Sequence, residues 1–373
     1  MADNKLSLKE RMIKNSTIKS TSLLTDSEVY NNKTVIKTRV PMINVAFSGK
    51  VDGGITAGLH IFAGPSKHFK TGFTLLGASA MVEAYAEDAV ILFYDSEFGS
   101  PDSYFASLNV PPNQVVHTPI TNIEELKFDI MQQLDALERG DRVMIMIDSI
   151  GNVASKKEVD DALEGSSKAD MTRARQLKSL FRMITPHLTI KNIPLIAVNH
   201  TYMTQEMYSK AVMSGGTGPY YSADNIFILG RQQEKTDKTI DGYHFIINVE
   251  KSRYVKEKSK IPITVLFNGG INRWSGLLDL AIEGGYVAKP KVGWYQLVDR
   301  ETGELVGKLY RGAEIESSSD IWNSIFETTD FAKFIEDKYR LPSGKLIADE
   351  IDLKGLLAGD EDEEDELVLP TVE

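Results

Sequence analysis

The 373-residue chain contains no cysteine. That absence excludes disulfides, thiol nucleophiles and cysteine-ligated zinc, and it suits a reducing compartment. No apolar run is long enough to span a bilayer. The first eleven residues are charged where a secretion signal would be apolar. A soluble, cytoplasmic protein without membrane contact is expected. The six histidines are scattered, with no zinc-ligand spacing. There is no Gly-x-Ser-x-Gly nucleophile turn, and no Gly-x-Gly-x-x-Gly follows a strand.

Positive charge is also in short supply. The formal net charge is −11, which as a whole argues against a nucleic-acid partner. The acids are unevenly placed, however. Residues 360–366 are an unbroken run of seven carboxylates, and without them the chain carries −4. A tail of this composition is expected to be disordered. Basic residues cluster at Lys156 and Lys157, at Arg173 and Arg175, at Lys178 and Arg182, and between Lys251 and Lys260. Such stripes can bind phosphates on an acidic molecule, although a solvated helix face is the commoner case for any one of them.

The most informative stretch is Gly64, Pro65, Ser66, Lys67, His68, Phe69, Lys70, Thr71. Gly64, Lys70 and Thr71 stand at the offsets of a phosphate-binding loop, in which backbone N–H groups and a helix N-terminus surround polyphosphate. An apolar run at 60–63 precedes the loop, and a small, apolar helical stretch that includes Gly72 follows it. Phe69 replaces the second glycine of the pattern, so the backbone is expected to forgo positive φ there. An ordinary Gly-Pro turn is the competing reading.

Two further apolar runs end in acids. One is Val143 to Ile147 followed by Asp148, and such a strand-end carboxylate can support Mg²⁺ through water. The other runs from Ile91 to Tyr94 and continues Asp95-Ser96-Glu97. Both acids fall on one face of an extended segment, and Glu97 is favoured as the group that orients or deprotonates water. A helix-capping pair is the alternative. The strand-like run ending Asn199-His200 leads into a long glycine-rich stretch with Gly215, Gly216, Thr217 and Gly218. Segments of this length inside a compact domain are functional or disordered.

Apolar strands are expected at 60–63, 90–94, 143–147, 195–199, 225–229, 244–249 and 262–267. Helices are expected at 6–24, 71–85, 103–108, 123–138, 169–188, 277–284 and 330–339. Strand-like pieces occur at 34–36 and 44–47, and a hairpin at 294–311. Alternation of strands and helices predicts an α/β fold with a mainly parallel sheet, and the later strands read as antiparallel additions.

These stretches together resemble the RecA-type strand-exchange recombinases. The likeness rests on 63–67, 93–99, 147–152, 197–202, 215–219 and 248–253, and it extends from about residue 9 to 339. It implies a RecA-like P-loop ATPase core at 31–270, preceded by an N-terminal polymerisation helix at 1–30. A small α/β C-terminal domain at 271–345 and the acidic tail at 346–373 would follow.

The resemblance implies ATP and Mg²⁺ as cofactors, held by the loop with Thr71 and Asp148 at the metal. Glu97 would be the catalytic carboxylate, Tyr104 would stack on adenine, and His200 would sense the γ-phosphate. Lys251 and Arg253 would reach the ATP of the neighbouring subunit. DNA loops are implied at 151–168 and 201–219, with Arg175 and Arg182 as DNA contacts and Lys178 on their helix face. Lys156 and Lys157 fall within the first loop. Single- and double-stranded DNA, a helical homo-oligomer, a loading factor and a single-strand-binding protein would be the partners. A ring helicase of the same core fold and a non-catalytic recombination mediator remain open as alternatives.

Overall fold

The structure, a computed structural model, describes residues 6–31, 33–165, 172–205, 210–236 and 239–342. The acidic tail, Lys168 and residues 206–209 of the implied second DNA loop lie outside the described residues. The described residues up to Leu341 form one compact unit.

Its centre is a nine-stranded sheet. In chain order the strands are β1 (Gly58–Ala63), β2 (Val90–Asp95), β3 (Val115–Pro119), β4 (Val143–Asp148), β5 (Pro194–Asn199), β6 (Asn225–Thr236), β7 (Thr239–Ser252), β8 (Lys260–Leu266) and β9 (Gly270–Ile271). Their order across the sheet is β9-β8-β7-β6-β1-β5-β4-β2-β3. The strands from β6 to β3 across that order pair in parallel. From β6 outward the additions are antiparallel, as expected. β1, β4 and β5 are buried along their whole length, which is why they read as unbroken apolar runs rather than as alternation.

Alternate residues feed two cores. Phe62 and Phe93 enter one layer with Phe73, whereas Leu59, Ile61 and Ile145 enter the other with Leu180 and Phe181. The relevant helices are α1 (Lys70–Tyr85), α2 (Asp102–Ser107), α3 (Ile123–Ala136), α4 (Lys156–Leu163), α5 (Thr172–Lys191) and α6 (Thr217–Ser222). The register sets the carboxyl ends of neighbouring strands side by side. Ala63 lies opposite Asn199, and Asp95 opposite Asp148. Ligands of open α/β sheets bind at this edge.

Several expectations are corrected. Residues 44–47 are helical, inside Pro41–Ser48, with Pro41 in the first turn and Gly49 closing the helix at φ 75°. A short apolar run cannot by itself separate a strand from a buried helix, and the Pro and Gly at its ends were the deciding signals. The N-terminal helix covers only Leu8–Asn15, closed at its start by a Ser7–Glu10 capping box and burying no residue. β3 was not anticipated. It is an edge strand without a buried residue, so it has no apolar run to read. Near the C-terminus the expected hairpin, Trp294–Val298 with Leu305–Arg311, gains a third strand, Val287–Lys291. Helices Gly312–Ser317 and Ser319–Thr328 were likewise not anticipated.

Candidate functional site

A cleft of about 690 Å³ opens at the carboxyl edge of the sheet. Ser66, Lys67, His68, Phe69, Lys70 and Thr71 form one wall, with Glu97, Asp148 and His200 beside them. The lining also includes an apolar group from the late strands: Tyr243 and Phe245 on β7, Val265 on β8, and Phe267 just beyond it. Tyr104, on α2, also lines the cleft, and burial raises its phenol pKa.

Phe69 departs from expectation. It caps α1 in the left-handed region, at φ 58° and ψ 23°. Its ring meets Phe73 edge-on at 5.3 Å and stacks on Phe245 at 5.6 Å. Aromatic packing therefore holds a conformation that glycine would adopt freely. Gly72 follows from this, since a Cβ there would stand 2.4 Å from the Phe69 ring. Gly64 and Pro65 do not line the cleft. Gly64 N–H donates to the Asn199 carbonyl at 3.2 Å, and the Pro65 carbonyl accepts the Lys70 ammonium at 2.8 Å. His68 closes the turn through Nδ1 on the Ser66 carbonyl, and burial keeps its pKa low.

Three charged groups meet behind the loop. Burial pulls the Lys70 pKa down, opposed by the Glu97 and Asp148 carboxylates. Burial pushes Asp148 up to about 6, against the hydrogen bond from Thr71. That bond runs from Thr71 Oγ1 to Asp148 Oδ2 at 2.5 Å, and Asp148 Oδ1 is buried with no hydrogen-bond partner. A hydroxyl beside a carboxylate with a free oxygen suits a hard cation that keeps most of its water. Among the described residues there is no cluster of three or more acids or histidines that could cage a metal alone.

Glu97 Oε1 collects three donors: Ser149 Oγ at 2.6 Å, His200 Nε2 at 3.0 Å and Asn152 Nδ2 at 3.2 Å. The His200 bond is the main reason its pKa lies below the ordinary carboxylate range. Asp95 does not compete for this role. Its Oδ1 accepts the backbone N–H groups of Glu97 and Phe98, shaping the turn that presents Glu97, and its Oδ2 pairs with His117 at 3.2 Å.

Asn199 ties these parts together. Its carbonyl serves Gly64, and its Oδ1 accepts the His200 N–H at 2.8 Å and the Ser214 hydroxyl at 2.7 Å. Ser214 N–H returns to the His200 carbonyl at 2.9 Å. Gly151 leaves room for the His200 ring, since a Cβ would stand 2.3 Å from it.

The family profile described as Bacteriophage T4, Recombination and repair protein, C-terminal domain, matches residues 274–335. The chain is 50% identical over 352 residues to the Recombination and repair protein of Enterobacteria phage T4, covering 92% of this chain and 90% of that protein. The chain belongs to the RecA-type recombinase family. More distant relatives agree. Protein RecA of Leptospira meyeri is 25% identical over 81% of this chain and 76% of its own length. Protein RecA of Borreliella burgdorferi is 25% identical over 77% and 81%.

In this recombinase a second, basic groove of about 550 Å³ lies along α5, lined by Arg175, Lys178 and Arg182 with Gln176 and Ser179. Arg173 is excluded from it. Its guanidinium is spent on the carbonyls of Ile150, Gly151 and Val153. Lys156 and Lys157 begin α4 and do not line the groove, and Lys157 pairs with Asp161 one turn on. The glycine-rich segment packs against α5. A Cβ on Gly218 would lie 2.6 Å from Lys178 Cα, and one on Gly215 would lie 2.9 Å from Leu177. Gly216 caps α6 at φ 74° and Thr217 begins it.

Lys251 and Arg253 do not line the recombinase's cleft either. Lys251 donates to the Tyr220 carbonyl at 2.7 Å, and Arg253 pairs with Asp224 at 2.6 Å. Sequence reasoning missed Asn199 as the linking residue, and Ser149 and Asn152 as the partners of Glu97. All three belong to stretches that carry the family likeness. The apolar lining from β7 and the end of β8 had no local signal.

Proposed function

We propose that this recombinase is a DNA-dependent ATPase. In this reading it assembles as a helical filament on single-stranded DNA and exchanges strands with a homologous duplex. The supporting observation is the grouping of Lys70, Glu97 and Asp148 in one cleft with residues 66–71, at the N-terminus of α1.

ATP would lie with its phosphates over 66–71 and its base toward Tyr104. Lys70 would exchange the Pro65 carbonyl for phosphate oxygens. Thr71 would hold Mg²⁺, with Asp148 supporting it through water. The metal, when bound, neutralises charge on the transferring phosphoryl group. Glu97 presents a carboxylate whose Oε1 is fixed by three donors, so Oε2 is the oxygen left to orient water. A low pKa makes Glu97 a weak base. Positioning is then its main contribution, as phosphoryl transfer requires.

His200 touches Glu97 with its ring and Ser214 with its carbonyl, so it can relay the state of the cleft to the glycine-rich segment. Arg175, Lys178 and Arg182 would follow the DNA backbone without reading sequence, and homology would be tested by base pairing. Lys251 and Arg253 would act on the ATP of an adjacent copy, against which the N-terminal helix would pack. A loading factor and a single-strand-binding protein are expected helpers in the cytoplasm. Among the described residues no helix is long and apolar enough to cross a membrane.

Turnover by Lys70→Ala tests the reading. Hydrolysis with single-stranded DNA should fall by at least about a hundredfold. Normal turnover would remove the cleft from the mechanism. Electron microscopy with single-stranded DNA, ATP and Mg²⁺ should show continuous helical filaments, and closed rings would favour the helicase instead.

A further inference from the structure

Arg253 and Lys251 stand at the end of β7, and both are tethered to the segment that follows the glycine-rich stretch. Lys251 Nζ donates to the carbonyls of Tyr220 and Tyr221 at 2.7 and 3.3 Å. Arg253 is held by a side chain. Its Nε pairs with Asp224 Oδ1 at 2.6 Å, and its backbone N–H donates to the Asp224 carbonyl at 3.1 Å. The other carboxylate oxygen, Oδ2, accepts the Leu59 N–H at 3.0 Å, at the start of β1. The Asp224 N–H donates to the Leu59 carbonyl at 2.7 Å. Gly58 makes the space, since a Cβ there would stand 2.0 Å from Oδ2.

The two partners differ in exposure. The Asp224 side chain is 10% exposed and that of Arg253 is 61% exposed. An ion pair with so exposed a member adds little to stability. Leu59 N–H needs an acceptor, but an amide oxygen would serve as well as a charged one. The group paired directly with the carboxylate is the guanidinium, and the same charge also favours the protonated forms of Lys251 and His60. Asp224 takes only Nε, and the described residues give the two Nη groups no partner. With Nε held by Asp224 and the side chain 61% exposed, the two Nη groups keep the fork geometry that suits two oxygens of a phosphate.

We propose that Asp224 is the positioning residue for Arg253, anchored on the first strand of the core so that the guanidinium fork is presented to the polyphosphate bound by a second copy of this chain. This rests on the reading that Arg253 acts on the neighbour's ATP. Because Asp224 lies two residues beyond α6, the same clamp joins the aim of Arg253 to the helix that packs on the basic α5. Holding the fork in place before the neighbour's nucleotide arrives reduces the ordering left for the transition state.

Asp224→Asn is the informative variant, since an amide oxygen keeps the Leu59 contact while its NH₂ turns Arg253 away. The full-length variant, with saturating single-stranded DNA, should lose roughly ten- to a hundredfold in kcat. Binding of a fluorescent ATP analogue by the dilute protein should stay within about twofold, since Lys70 and its loop are untouched. Two further readouts separate positioning from folding. In an Arg253→Ala background the Asp224→Asn change should cost less than about twofold more, because coupled residues are not additive. Mixing Asp224→Asn protein with Lys70→Ala protein should restore turnover, since the second supplies a well-aimed Arg253 to the intact cleft of the first.

Full kcat in Asp224→Asn, an undiminished loss in the Arg253→Ala background, or no recovery on mixing would each overturn the proposal. If Asp224→Asn does not fold, Arg253→Lys serves in its place. A lysine cannot hold Asp224 and still offer a fork, so a comparable fall in kcat is expected and full turnover overturns the assignment. Arg253→Ala judges the reading beneath. If it is slow while Asp224→Asn is normal, only the role of Asp224 fails. If Arg253→Ala itself turns over normally, the action on a neighbour's ATP fails and the proposal goes with it.

Discussion

Glu97 carries its three donors on a single oxygen, and His200 contributes most to holding the carboxylate ionised. The sign of the pH effect follows. A depressed pKa means that the active carboxylate persists as pH falls and is lost only below the ordinary glutamate range. Replacing the ring by Asn weakens the donor, so the acid limb of kcat/KM should move to higher pH in His200→Asn. A pH–rate profile checks this, and an unmoved limb would mean that His200 does not set the state of Glu97. Phe69 poses a different question. Its left-handed φ costs roughly 1–2 kcal/mol, while the ring fills the space between Phe73 and Phe245. The packing should win, so Phe69→Gly should lower stability by about 1–2 kcal/mol, which thermal unfolding would show as a lower Tm. A raised Tm would mean that strain outweighs the ring.

At the scale of elements, legibility tracked burial. β1, β4 and β5 are buried on both faces and announced themselves as apolar runs ending at Ala63, Asp148 and Asn199. Parallel register then makes those ends neighbours, so most of the cleft's charged groups could be named from sequence. β3 carries no buried residue and gave no such signal. The apolar lining from the late strands was hidden for another reason. Phe69 and Phe245 are far apart in the chain, and no local pattern reports a contact made by folding. The glycine-rich stretch was read as part of an implied DNA loop, yet Gly218 is required by its approach to Lys178 on α5. Gly218→Ala should therefore lift α6 from α5 at a cost of about 1–3 kcal/mol. DNA-stimulated hydrolysis should fall while ATP binding holds. If stimulation is unchanged, docking of α6 on α5 has no part in coupling DNA to the cleft.

For the molecule as a whole, the surplus of acid and the demand for DNA have to be reconciled. Arg175, Lys178 and Arg182 make a local positive groove on a chain whose net charge is −11. Seven of those negative charges sit together at 360–366. A run of that density is a polyanion of the same sign as a DNA backbone, so it competes for the same cations wherever it can reach them. Competition between polyanions acts through released counterions, which makes it depend on salt. Deleting 360–366 should tighten duplex binding most at low salt, where competition between polyanions is screened least. The slope of log K against log salt should also steepen, by about one for each cation freed. Fluorescence anisotropy with a duplex at matched salt is the measurement. Unchanged affinity at low salt would mean that the acidic run and the groove do not meet, and that the groove faces DNA without competition from its own chain.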